Sequence, residues 1–161
     1  MSTRQEIEDS IRRGQQQVQQ IFQSLGEAEL DRTVHPGDGG WTAREVLAHL
    51  AGRARGYERM LQMAEGGAAP GGAFDVDRWN RERIDERIHQ SRDDLLKEFQ
   101  AVHDDLIRKL REIPEEGLRR NVTRPTGQMT VGEMLALSGG RHSINHSLEV
   151  ARALGKTAPA S

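Results

Sequence analysis

Apolar residues recur at helical spacing in several stretches of the chain, and the intervals between them carry residues that stop helices. Ile7, Ile11, Val18, Ile21, Phe22 and Leu25 form the first stripe, with Gln and Arg between them. Residues 3 to 25 are therefore predicted as a helix ended by Gly26. Residues 26 to 40, with Pro36 and several glycines, are predicted as a loop. A second helix opens at Thr42, three residues before Glu45, in the pattern of a capping box. Trp41 and Val46 stand where a hydrophobic staple packs. The stripe Val46, Leu47, Leu50, Ala54, Tyr57 and Leu61 runs to about residue 64, where GGAAPGG stops it.

Residues 75 to 113 are helix-permissive throughout. Unbroken, they would make a rod of about 57 Å, against about 35 Å for the second helix. A break near His89 to Ser91 is expected, with Ser91 capping a main third helix. Its stripe is Leu95, Phe99, Val102, Leu106, Leu110 and Ile113, and Pro114 closes it. Residues 75 to 88 become a shorter segment across or beside the bundle. The fourth helix repeats the punctuation of the second, with Thr130 and Glu133 as a capping box and Met129 and Met134 as a staple. WTAREVLAHLAGR at 41 to 53 aligns with MTVGEMLALSGGR at 129 to 141. Any two well-capped amphipathic helices produce such a match, and so does an internal two-fold relation between two helical hairpins. Residues 1 to 155 read as one domain and 156 to 161 as a flexible tail.

Composition narrows the class. Six aromatic residues in 161 and a hydrophobic share of 35% make a lean core, which suits packed helices better than a β-sandwich. The fold expected is all-α. Charge balances at 23 basic against 25 acidic residues, which removes the footprint of a general nucleic-acid binder. No apolar run approaches a membrane span, and MSTRQEIEDS has no signal-peptide core, so a cytoplasmic protein away from membranes is expected. With no Cys there is neither a disulfide framework nor a thiolate of the protein's own.

Six histidines carry the candidate chemistry. His142 and His146 are four apart on a helix, so their rings leave one face a turn apart, which one metal ion can bridge. A solvated or structural pair has the same spacing. His49, at the edge of the second stripe, would supply a third imidazole from another helix, and His103 beside the third stripe competes for that place. His89 lies at the expected break and His35 in the Gly/Pro loop, so neither is pre-organised.

GWTAREVLAHLAG, DVDRWNRERIDERI and TVGEMLALSGGRHSINH together resemble the DinB-like superfamily, the damage-inducible and YfiT-like group. That group includes mycothiol-dependent maleylpyruvate isomerases and bacillithiol transferases, and it is unrelated to the polymerase sharing the name. The resemblance runs from the first helix to the HxxxH helix. It implies an up-down-down-up four-helix bundle, with the short extra segment before the third main helix, in a protein that is often a homodimer. It also implies a divalent metal, zinc or nickel, on His49 in L-A-H-L and on His142 and His146. The departure is Gly139-Gly140 before the HxxxH, which should loosen the helix by about 1 kcal/mol per Gly relative to Ala and marks a kink or a close approach.

The activity this resemblance implies is transfer or isomerisation with a low-molecular-weight thiol such as bacillithiol, mycothiol or glutathione, acting on an electrophilic small-molecule substrate. Because the chain has no Cys, the sulfur has to come from the small molecule. Arg53, one turn past His49, and Arg141, beside His142, are candidates to hold a carboxylate. Asn145 stands beside the ligand pair, and Asp77 and Asn80 lie in the segment before the third helix, with Trp79 read as a packing anchor. A hydrolase on the same site needs a carboxylate base, for which Glu149 and Glu45 are the candidates. A non-catalytic bundle, dimeric through an apolar second face of the fourth helix, is the remaining alternative.

Overall fold

The computed structural model describes residues 3–35, 40–67 and 75–156. Pro36, residues 68–72 of the glycine-rich stop and residues 157–161 of the expected tail lie outside the described residues. Helix α1 (Arg4–Gln23) starts at a reciprocal cap. The Thr3 hydroxyl accepts from the Glu6 amide and the Glu6 carboxylate accepts from the Thr3 amide. A short helix α2 (Glu27–Leu30) and a two-stranded hairpin, β1 (Thr33–His35) and β2 (Trp41–Thr42), fill much of the stretch expected as loop.

Thr42 is both the end of β2 and the N-cap of α3 (Ala43–Ala51), and the expected capping box with Glu45 is present. The second helix does not run through to residue 64 unbroken. It stops at Gly52 and restarts as α4 (Ala54–Ala64). Gly52 is a weak helix former, and a methyl at its Cα would stand 3.2 Å from the Arg83 Cβ, so a crossing helix is seated there. That crossing helix is α5 (Val76–Asp85), capped by Asp75, and it is the expected shorter segment. The Ser91 hydroxyl then caps α6 (Arg92–Glu112), as its position predicts.

After α6 come α7 (Glu115–Leu118), a second hairpin of β3 (Asn121–Arg124) and β4 (Gly127–Thr130), and α8 (Val131–Ala136), capped by Thr130 and Glu133. The fourth bundle helix then passes through a π-turn, Leu137–Arg141, into α9 (His142–Ala153).

Packing sets the direction of each helix. At one end of the bundle, Val18 and Phe22 of α1 meet Val46 and Leu50 of α3, Leu95 and Phe99 of α6, and Val150 and Leu154 of α9. At the other end, Ile7 and Ile11 of α1 meet Leu61 of α4, Leu106 and Leu110 of α6, and Val131 and Leu135 of α8. The second and third main helices therefore run the same way, between a first and a fourth that run oppositely. This is the up-down-down-up bundle. Two parallel neighbours need a connection that travels back along the bundle, and α5 lies on that return path.

The two halves repeat. The N-caps Thr3 and Ser91, the starts of α2 and α7 at Glu27 and Glu115, the hairpin residues Thr33 and Asn121, and the N-caps Thr42 and Thr130 are each displaced by 88 residues (130 minus 42). The same displacement relates the amide of Ala43 donating to Arg32 O at 3.0 Å and the amide of Val131 donating to Arg120 O at 2.9 Å. The likeness of 41–53 to 129–141 thus reflects a repeated helix–hairpin–helix unit. It extends beyond two similarly capped helices.

Candidate metal centre

His49 lies in the last turn of α3 and is 5% exposed, while His142 opens α9 and His146 comes one turn later. One ring nitrogen from each of the three lies within 4.8 Å of the others, and His49 Nε2 stands 2.9 Å from His142 Nε2. The rings meet edge to face, with centroids 5.2, 5.2 and 4.5 Å apart. Two imidazole nitrogens on one ion, each at about 2.0–2.1 Å, stand roughly 2.9–3.4 Å from one another. The closest pair already meets that requirement.

Protonation favours the same role. Burial, and then the cation of Arg53 and the neighbouring imidazoles, push the pKa of His142 down to about 2, so its ring offers a lone pair at neutral pH. His146 Nδ1 is 3.0 Å from Glu149 Oε2. A carboxylate can only accept, so Nδ1 carries the proton, and in the neutral ring Nε2 is the nitrogen left to bind a metal. The donor set therefore fits a divalent ion.

The backbone before His142 explains the aim of the pair. The Gly139-Gly140 sequence falls inside the π-turn and lies against α1. A methyl on Gly140 would stand 2.1 Å from Ser10 Oγ, and one on Gly139 would stand 3.0 Å from both Ile11 and Leu106. Of the kink or close approach expected at the glycine pair, the close approach is present, together with the π-turn. One residue more in the turn rotates the rest of the helix by about 100°, which orients α9 relative to α8.

Trp41 stacks on His146 (6.3 Å between centroids, 22° between planes) and tilts over His49 at 5.0 Å. It also packs on the core beneath it, as a staple residue should, so its place at the histidines is not readable from the capping pattern. Arg53 sits in the break between α3 and α4. Its guanidinium carbon is 5.3 Å from the centre of the Tyr57 ring, and its Nε is buried with no hydrogen-bond partner. Among the described residues no carboxylate pairs with it.

His103 is not in the histidine cluster. It is fully buried, its Nδ1 is 2.7 Å from Phe99 O, and its Nε2 is 2.8 Å from the Tyr57 hydroxyl. The carbonyl can only accept, so Nδ1 donates to it and Nε2 accepts from the Tyr57 hydroxyl. Burial pushes its pKa down to about 4, which keeps the ring neutral. Apolar spacing shows Tyr57 only as a stripe residue, although a hydroxyl two turns past His49 on one face is an available signal.

Of the remaining candidates, Asp77, Arg141 and Asn145 are exposed and Asn80 is half-buried on α5. Trp79 is held between the guanidinium groups of Arg59 and Arg83, each 4.6 Å from its ring centre, which fits an anchor between α4 and α5. Glu45 is engaged in its capping box and with Arg81 at 2.5 Å. The three histidines are the one group of three metal-ligating side chains found among the described residues.

Residues 10–150 match the sequence model of the DinB superfamily. The chain belongs to the DinB superfamily. No curated protein matches it. Among solved structures, this DinB chain is similar to YfiT from Bacillus subtilis, described as a probable metal-dependent hydrolase with an unusual four-helix bundle topology. The TM-score is 0.73 at 20% identity, over 98% of this chain and 91% of that one. The mycothiol-dependent maleylpyruvate isomerase is similar at TM-score 0.72 and 18% identity, covering 92% of this chain and 61% of the isomerase, so the DinB chain spans about three-fifths of that enzyme. ClbS, a colibactin self-resistance protein solved in complex with double-stranded DNA, matches at TM-score 0.70 and 14% identity over 96% of each chain. At these identities the likenesses establish the fold. No described helix is long and apolar enough to cross a membrane.

Proposed function

We propose that this DinB-superfamily bundle is a divalent-metal-dependent enzyme, with His49, His142 and His146 as ligands of zinc or nickel, that transfers a low-molecular-weight thiol to an electrophilic small molecule. The observation that carries the reading is the convergence of three imidazole nitrogens within 4.8 Å in a chain that has no Cys. When bound, a 2+ ion on three neutral imidazoles supplies Lewis acidity, which makes a thiol or a water nucleophilic near neutral pH.

The chain's own residues divide the remaining work. Glu149 holds the His146 proton on Nδ1 and so keeps its inner nitrogen a donor. Arg53, whose Nε is buried and unpartnered, binds a carboxylate of the thiol or of its electrophile beside His142. Trp41 covers the ring faces of His49 and His146 and excludes water there. Asp77 and Asn80 from α5, with Arg141 and Asn145 from the fourth helix, contribute to the rim.

A thiol of bacillithiol, mycothiol or glutathione type suits a cytoplasmic protein that has no sulfur nucleophile of its own, and the isomerase of this fold is named for its dependence on mycothiol. Hydrolysis is the second reading, favoured by the description of YfiT. Against it stand the commitments of Glu149 to His146 and of Glu45 to Thr42 and Arg81, which leave neither poised as a base. A homodimer through the half-buried Leu137, Ile144 and Leu148 belongs to the same proposal.

Elemental mass spectrometry on tag-free protein tests the site. About one zinc or nickel per chain is expected, lost in His49→Ala, His142→Ala and His146→Ala and kept in His103→Ala. A metalated protein would then be assayed for consumption of bacillithiol, mycothiol or glutathione with electrophile panels. Stoichiometric metal in any of the three variants would sink the ligand set. Metal without thiol consumption, but with ester or amide cleavage, would replace transfer by hydrolysis.

A further inference from the structure

The π-turn breaks the normal ladder of the fourth helix at a defined place. In an unbroken α-helix the amide of His142 would donate to the carbonyl of Ser138, four residues back. Here the His142 amide donates to Leu137 O instead. The released Ser138 carbonyl accepts from the hydroxyl of Tyr57 at 3.1 Å. The carbonyl is half-buried and has lost its helical partner, and this side chain from α4 replaces the bond that the π-turn gives up. On the opposite side the turn is braced by α1, where the Ser10 hydroxyl donates to Ala136 O at 3.2 Å and Gly140 lies against Ser10.

The Tyr57 hydroxyl has a second acceptor beside it. It is 2.8 Å from His103 Nε2, and His103 is anchored through Nδ1 to Phe99 O. One proton thus serves two acceptors, the imidazole and the π-turn carbonyl. The pair is buried, with Tyr57 2% exposed and His103 fully enclosed, so water does not substitute for either group.

We infer that Tyr57 is a positioning residue for the three-histidine site, its hydroxyl holding open the π-turn that aims His142 and His146 at His49. It acts through Ser138 O and touches neither substrate nor metal. The inference rests on the metal reading only for its affinity readout; the turn itself is measurable without any ion.

The test is Tyr57→Phe, which removes one oxygen and keeps the ring, beside His103→Leu, which removes the competing acceptor and leaves the hydroxyl to Ser138 alone. Amide hydrogen exchange on metal-free protein and cobalt(II) titration followed by visible spectroscopy are read on both. In Tyr57→Phe, exchange at residues 139–143 is expected to accelerate at least about tenfold while α1 and α6 stay protected. Cobalt affinity is expected to fall about 10- to 100-fold, with a shifted visible band. In His103→Leu the exchange and the cobalt affinity stay within about threefold of wild type.

Wild-type exchange and cobalt affinity in Tyr57→Phe would overturn the inference. So would equal loosening in both variants, which would make the role one of packing, or acceleration spread uniformly over the bundle. If the wild-type protein takes up no cobalt, the metal reading fails by itself, and the exchange arm still decides whether Tyr57 holds the turn.

Discussion

An alanine at position 140 should destabilise the protein, although helix propensity alone says the opposite. Inside a helix the change from Gly to Ala is worth about 1 kcal/mol in the stabilising direction. The added methyl, however, would lie 2.1 Å from Ser10 Oγ and 2.5 Å from Ser10 O. The hydroxyl can swing away, at the cost of its 3.2 Å bond to Ala136 O, about 1 kcal/mol. The carbonyl belongs to the α1 backbone and cannot move without moving the helix, and overpacking of this kind costs about 1–3 kcal/mol. Net of the propensity gain, Gly140→Ala should lose roughly 1–3 kcal/mol, which for a chain of this size is a fall in Tm of roughly 3–10 °C. Urea and thermal unfolding followed by far-UV circular dichroism measure it. Adding Ser10→Ala should recover only part of the loss, because Oγ goes and the carbonyl stays. A Gly140→Ala protein as stable as wild type, or more stable, would refute the seating of the π-turn on α1.

His103→Leu should flatten the acid side of the stability curve. The buried imidazole has a folded pKa near 4 against an ordinary 6.5, so between these values only the unfolded chain binds the proton. Stability is complete above pH 6.5 and lost as pH falls toward 4, by about 3 kcal/mol in all; equal urea midpoint shifts between pH 7 and 4.5 in both proteins would contradict this. Because Trp41 rests on His49 and His146, cobalt or copper titration should quench tryptophan emission in wild type and in Trp79→Phe but not in Trp41→Phe. Arg53→Gln should keep full metal content while raising KM about tenfold or more for a carboxylate-bearing substrate and leaving its methyl ester unaffected. Equal effects on acid and ester would remove Arg53 as the anion anchor.

The bundle was legible because its signals are local. Apolar spacing located the main helices, and Thr42, Ser91 and Thr130 marked three of their starts by side-chain capping that depends on only four residues. The ligand set rested on HxxxH geometry plus the resemblance that picked His49 over His103, and the structure brings His49 to the pair while enclosing His103 elsewhere. The features that stayed hidden depend on contacts distant in sequence. The break at Gly52 lies where α5 is seated against it, and the π-turn lies where α1 approaches Gly139 and Gly140. Both hairpins are only two to four residues per strand, too short for an alternating pattern to register. For Glu149, a candidate base only if the site hydrolyses, sequence spacing shows that it neighbours His146 but not which nitrogen it meets.

The repeat explains why one bundle end carries chemistry. At the 88-residue displacement, Glu45, Leu47, Ala48, Gly52 and Arg53 recur as Glu133, Leu135, Ala136, Gly140 and Arg141, so the scaffold around the site is shared by both copies. The metal-ligating residues are not shared. His49 corresponds to Leu137, His142 to Ala54 and His146 to Glu58, so one copy supplies a single imidazole and the other supplies two. The equivalent glycines also meet different fates: the helix ends at Gly52 in the first copy and passes through a π-turn at Gly140 in the second. The Tyr57 hydroxyl, at the position of Asn145 in the other copy, comes from the broken helix and satisfies the carbonyl released in the continuous one. A symmetric pair would have presented the same helix end twice. Breaking the helix in one copy and widening a single turn in the other brings a helix terminus bearing His49 opposite a continuous helix bearing His142 and His146, and three donors on two neighbouring helices are the direct result.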